Sequence, residues 1–175
     1  MQRFFICNQD EVENKLKALT KTGTSDDGWT HYYQDNIEKW LLTSFNSEHH
    51  GGGLPVLKRL PEPTIDELID IALTSFDTND IIGASLELSE REKYNKVDFR
   101  DKLLNKLLQI DTSKLADFEK TRLKLIINKS DLCDATNRRD IVGKHLTEIQ
   151  SDANYFRTIS QKALKILEDS DKHSR

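Results

Sequence analysis

Pro61, Pro63, Thr64 and Glu67 fix the start of one helix more firmly than any other feature of this 175-residue chain. Proline has no backbone N–H and disfavours helical geometry at the residue before it, so the Pro-Glu-Pro triplet ends whatever precedes it. Thr64 as N-cap with Glu67 three residues on makes a capping box, which satisfies two of the amides that a helix start leaves unpaired. Ile65, Leu68, Ile69, Ala72 and Leu73 then recur at helical spacing. SFDTND breaks this helix and caps a second, carrying Ile81, Ile82, Ala84, Ser85 and Leu88, with Gly83 permitting close backbone approach. Two short helices joined by a polar turn form an αα-hairpin.

The same stretch is the acidic pole of the molecule. Between Glu62 and Glu90 there are eight acids and no Lys, Arg or His, whereas the whole chain carries −4, which leaves +4 elsewhere. Segregated charge of this kind bears on partners more than net charge does. Asp66 and Asp70 fall on the outer side of the first helix. A solvated face that merely keeps two amphipathic helices soluble is the plainer reading of the same acids.

Elsewhere the periodicity also reads as helix. Phe4, Phe5 and Ile6 are a short strand or the anchor of a first helix, which Asn8 and Glu11 cap and Val12, Leu16 and Leu19 follow. TGTSDDG is turn chemistry. Trp29, Tyr33, Ile37, Trp40, Leu41 and Phe45 then fall at three- and four-residue steps and predict an aromatic helix face. Gly51 to Gly53 read as a turn toward Leu54 and Pro55; they fit neither GxGxxG nor a P-loop. Asp98 caps a helix with Phe99, Leu103, Leu104, Leu107, Leu108 and Ile110 as its apolar side, and Asp111 to Ser113 start another carrying Leu115, Phe118, Arg122, Leu125 and Ile126. A helix from about Arg138 carries Ile141, Val142, His145, Leu146 and Ile149, and a last one carries Tyr155, Phe156, Ile159, Ala163 and Leu167.

With few Gly and Pro and 36% hydrophobic residues, the expected fold is all-α. About seven or eight helices would pack as αα-hairpins, in an irregular HEAT-like array or an ordinary bundle. One domain is expected over residues 1–175, with N-terminal helices and the aromatic segment in 1–50, a Gly/Pro hinge in 51–63 and helical hairpins in 64–170. No apolar run approaches the roughly 20 residues of a membrane helix, and the opening apolar cluster is too short for a signal segment. A cytoplasmic location and reduced thiols at Cys7 and Cys133 are expected.

No complete catalytic constellation is visible, so no catalytic residue, metal or cofactor is assigned. His49 and His50 lack partners at zinc-ligand spacing, Cys133 lacks a nucleophile motif, and His145 sits on an apolar helix face. Direct nucleic-acid binding is disfavoured: residues 91–175 hold 19 Lys and Arg against 14 acids, but the signs alternate. An acidic pole suits a basic protein partner instead. A helical scaffold or adaptor and a minor metal-hydrolase option on His49 or His50 stay open.

The succession of W..YY...IEKW, HHGGGLP, PEPTIDELIDIAL and SFDTNDIIGASLELSERE resembles bacterial immunity proteins of polymorphic-toxin and contact-dependent growth inhibition systems. The resemblance covers Trp29 to Leu108. It implies an antitoxin that occludes a cognate toxin domain, a nuclease with a basic cleft, without catalysis. On that reading Asp66, Asp70, Asp77, Asp80, Glu87 and Glu90 would face the toxin's Lys and Arg.

Overall fold

A five-stranded antiparallel sheet occupies the N-terminal half of the chain, so the all-α expectation and its HEAT-like array are wrong. The computed structural model describes residues 3–47 and 53–172, which fall into two compact units, Met1–Glu87 and Leu88–Arg175. His49, His50, Gly51 and Gly52 lie outside the described residues.

The first unit runs β1 (Phe5–Ile6), α1 (Gln9–Lys17), β2 (Thr20–Thr24), β3 (His31–Gln34), β4 (Lys39–Phe45), β5 (Leu54–Leu60), α2 (Ile65–Thr74) and α3 (Thr78–Asn95) up to Glu87. The strand order is β1-β5-β4-β3-β2. The aromatic segment predicted as one helix face is the β3–β4 hairpin. Its apparent helical spacing runs across turns: Trp29 and Ile37 are 79% and 90% exposed in loops, not on a common stripe. Asp35 makes the hairpin turn, its Oδ1 accepting from the N–H groups of Ile37 (2.8 Å) and Glu38 (2.7 Å). Both faces of β4 are covered, so Trp40 and Leu41 are both buried and the strand reads as an apolar run without alternation.

On one face Ile6, Trp40 and Leu57 meet Val12 of α1, with Leu16, Leu19, Tyr33 and Leu42 packed around them. On the other face Phe5 lies against Gly83 of α3, and Lys58 of β5 reaches Glu87 at 2.6 Å. The expected hinge is largely β5. Gly53 is required beside it, because it has φ +78° and a Cβ there would sit 2.4 Å from the Phe45 carbonyl oxygen. The capping box forms as expected: Glu67 N–H donates to Thr64 Oγ1 (3.3 Å) and Thr64 N–H to Glu67 Oε2 (2.8 Å). Asn8 likewise caps α1.

The second unit is helical, comprising the rest of α3, α4 (Arg100–Leu107), a 3-10 turn at Thr112–Lys114, α5 (Asp117–Lys129) and α6 (Leu146–Lys172). Phe99, Leu103, Leu107, Leu123, Ile127, Phe156 and Ile159 are buried in it, and α6 packs against α4 and α5. The helix expected from Arg138 does not form. Residues 134–145 are irregular, Ile141 and Val142 are exposed, and Gly143 is left-handed at φ +81°. Asp98 caps nothing; the α4 start at Phe99 has no side-chain cap. No helix among the described residues is long and apolar enough to cross a membrane.

Gly83 offers a direct check on the packing of the first unit. An added Cβ would lie 2.3 Å from Phe5 Cγ, and the Phe5 ring is fully buried. Gly83→Ala gains helix propensity of about 1 kcal/mol, yet overpacking should dominate and lower stability by a net of about 1–3 kcal/mol in urea unfolding. A stabilised variant would mean that the ring yields freely.

Candidate functional site

The six acids expected at the partner surface do not share one environment. Asp66 and Asp70 are exposed on the outer side of α2, following exposed Glu62. Glu62, Glu67 and Asp70 line a groove of about 410 Å³ together with Arg59, Pro61 and Ile71. Asp77 is half-buried, accepting from Arg3 Nε at 2.6 Å and from the Asn79 N–H at 2.9 Å. Asp80 and Glu87 are buried. Glu90 belongs to the second unit, half-buried and 4.0 Å from Lys93.

Asp80 closes the edge of the sheet. Its Oδ1 accepts from the N–H groups of Phe4 (2.8 Å) and Phe5 (2.9 Å), while Asn79 Oδ1 accepts from those of Cys7 (2.8 Å) and Asn8 (3.0 Å). Side chains at the start of α3 thus take the place of a neighbouring strand for β1, one way of hiding a pairing-competent edge. Burial pushes the Asp80 carboxyl above the ordinary value, against the lowering effect of the Phe5 and Phe4 amides. Glu87 is spent inside as well, on Lys58, whose ammonium lies 5.1 Å from the Phe45 ring centroid.

The second unit holds a network that the sequence reading missed. Arg100 is fully buried. Its Nε and Nη2 donate to Glu92 Oε1 (2.7 Å) and Oε2 (2.8 Å), its Nη1 donates to the Asp134 carbonyl (2.8 Å), and its guanidinium lies 4.8 Å from the Phe156 ring centroid. Bidentate pairing of this kind is among the strongest polar contacts available to a side chain. Arg138 Nη2 donates to Asp134 (2.8 Å) and Asp131 (3.0 Å). Burial pushes Asp134 up, but Thr136 and Arg138 outweigh it and hold its carboxyl down at about 2. Arg139 bridges Asp98 and Asp152, both at 2.8 Å, and stacks 4.3 Å from the Tyr155 ring centroid. Burial and a hydrogen bond to Asp98 push the Tyr155 phenol upward. The one available signal was Arg100 itself, at a helical core position with Leu103, Leu104 and Leu107.

These groups border a cavity of about 330 Å³ lined by Val97 and Phe156 together with Lys96, Arg138, Arg139 and Lys144. Its cations already hold carboxylates. Burial raises the Cys133 thiol above its ordinary value, which disfavours a nucleophilic thiolate. His145, expected in the core, is exposed. Neither cysteine is in a disulfide, and among the described residues no three His, Cys, Asp or Glu side chains converge as metal ligands. No family model matches the chain, and neither the curated proteins nor the solved structures contain a significant match.

Two outcomes test the buried acids. Asp80→Ala leaves the Phe4 and Phe5 amides unpaired and should lower stability by about 1–3 kcal/mol, whereas Asp80→Asn keeps an acceptor and should cost less. Because the folded pKa is raised, the contribution of this carboxyl is full below the unfolded value and is lost as pH rises through the folded one. The wild type's advantage over Asp80→Asn should therefore be larger at pH 3 than at pH 7; an equal margin contradicts the assignment. Glu92→Ala should cost about 3–5 kcal/mol by stranding Arg100, and the double change Glu92→Leu with Arg100→Met should recover most of it. Circular dichroism during urea unfolding reads both.

Proposed function

We propose that this protein is an immunity protein that binds a cognate toxin domain and blocks it without catalysis. The motif succession from Trp29 to Leu108 motivates the reading, and the observation that carries it is the outward acidic side of α2. There Asp66 and Asp70, with Glu62 ahead of them, are exposed in a segment with no basic residue from Glu62 to Glu90. A nuclease whose cleft holds phosphates with Lys and Arg is the complementary partner, and steered encounter would speed capture. Asp80 and Glu87 take no part, because each is buried on an internal partner.

The adaptor alternative drew on a concave helical array, and the sheet removes that support. A cytoplasmic site of action belongs to the same proposal.

Co-expression with the toxin encoded beside the gene is the test. The expected result is a co-purifying complex and rescued growth; no complex and no rescue sinks the reading. Asp66→Lys with Asp70→Lys should slow association about tenfold or more at low salt and flatten its salt dependence, while Asp80→Asn should leave the on-rate unchanged. Unaltered on-rates in the α2 variant would place the contact elsewhere.

A further inference from the structure

Residues 139–144 are held in a different way from the helices around them. None of the six is buried, and they form neither helix nor strand. Their backbone hydrogen bonds are local, from Lys144 N–H to the Ile141 carbonyl (3.3 Å) and from Arg139 N–H to Asn137 Oδ1 (2.9 Å). What ties them to the rest of the unit is charge, together with the Arg139 guanidinium stacked 4.3 Å from the Tyr155 ring centroid. Arg139 reaches Asp98 and Asp152, Lys144 Nζ reaches Asp152 at 2.6 Å, and Asp140 lies 3.3 Å from Lys96 Nζ.

The flanks are fixed independently. On one side Arg138 is held by Asp131 and Asp134; on the other, His145 N–H donates to Glu148 Oε2 at 2.8 Å as α6 begins. At the tip, Ile141 and Val142 are 57% and 93% exposed, so no apolar anchor resists movement. Beneath lies the cavity bordered by Val97 and Phe156, with Arg139 5.8 Å from the Phe156 ring centroid.

We propose that residues 139–144 are an electrostatic strap over this cavity, latched by Asp152, which opens as a unit while the surrounding helices stay folded. Asp152 projects from α6 and grips both ends of the turn, through Arg139 and through Lys144. Partly exposed ion pairs are individually weak and are screened by salt, whereas the helices are held by buried Leu, Ile and Phe. The strap therefore occupies the low-stability end of this unit. Its opening withdraws Arg139 from the cavity wall and gives solvent access to Phe156.

Thermolysin reads this directly, because it cuts before exposed apolar residues and does not recognise the charges being altered. Its expected cuts are at Asp140–Ile141 and Ile141–Val142, detected by intact mass on the full chain. Asp152→Asn should speed cutting about tenfold relative to wild type, as the open population rises. Arg139→Gln should do the same, and 0.5 M sodium chloride, at roughly a 4 Å screening length, should speed the wild type more than Asp152→Asn. Unchanged rates in both variants, or fragments from within α6 appearing in step with the strap cuts, would overturn the proposal. Should Asp152→Asn fail to fold, the salt series on the wild type decides it, each rate divided by that on an unstructured peptide carrying the same bond because salt also acts on the protease: a corrected rate indifferent to salt is the refuting result.

Discussion

The N–H groups in and beside a two-residue strand, and the side chains that receive them, organise the first unit. β1 has β5 on one side only, and Asn79 and Asp80 serve as its second neighbour. That contact ties the start of α3 to residues more than seventy positions earlier and sets Gly83 against Phe5. Burial of a carboxylate is costly unless its lone pairs are met. Here two backbone amides and the Ser75 hydroxyl meet them.

The acids between Glu62 and Glu90 thus divide by the faces of two helices. Those on α2 look outward, whereas Asp80 and Glu87 on α3 look inward to an amide pair and to a lysine. A count of charge along the chain treats them alike, although their physical work is opposite. One set supplies a field beyond the molecular surface; the other neutralises polar groups that folding has buried. The second unit follows the same inward logic with the signs reversed, since Arg100 is the buried charge and Glu92 its partner.

Local signals were legible where local chemistry decides structure. Asn8, Thr64 and Glu67 marked their helix starts because a cap depends on residues three positions apart. The sheet was not legible, and Trp40 and Leu41 explain why. A strand buried on both faces loses the alternation that betrays most strands, and its aromatic residues mimic a helical stripe when turns are counted as part of it. Asp35 and Asn36 were the missed punctuation. The 27 residues of α6 were split into two helices for a related reason: Ile141 and Val142 look like core residues, and only their exposure shows that they belong to a loop. Of the candidate site, the exposure of Asp66 and Asp70 followed from helical phase, while the roles of Asp80 and Glu87 depended on contacts distant in sequence and that of Arg100 on a partner eight residues back, on the preceding helix.

Both tryptophans lie in the first unit, one of them 79% exposed in a turn and the other 2% exposed beneath α1, with the Lys15 ammonium 5.1 Å from its ring centroid. The chain therefore carries a built-in optical asymmetry. Intrinsic indole emission is a sum of a wet and a dry fluorophore from the sheet-bearing unit, and the helical unit emits through tyrosine alone. Melting of α4, α5 and α6 would pass nearly unseen in a tryptophan trace, and a quencher added from solution would separate the two indoles without any substitution.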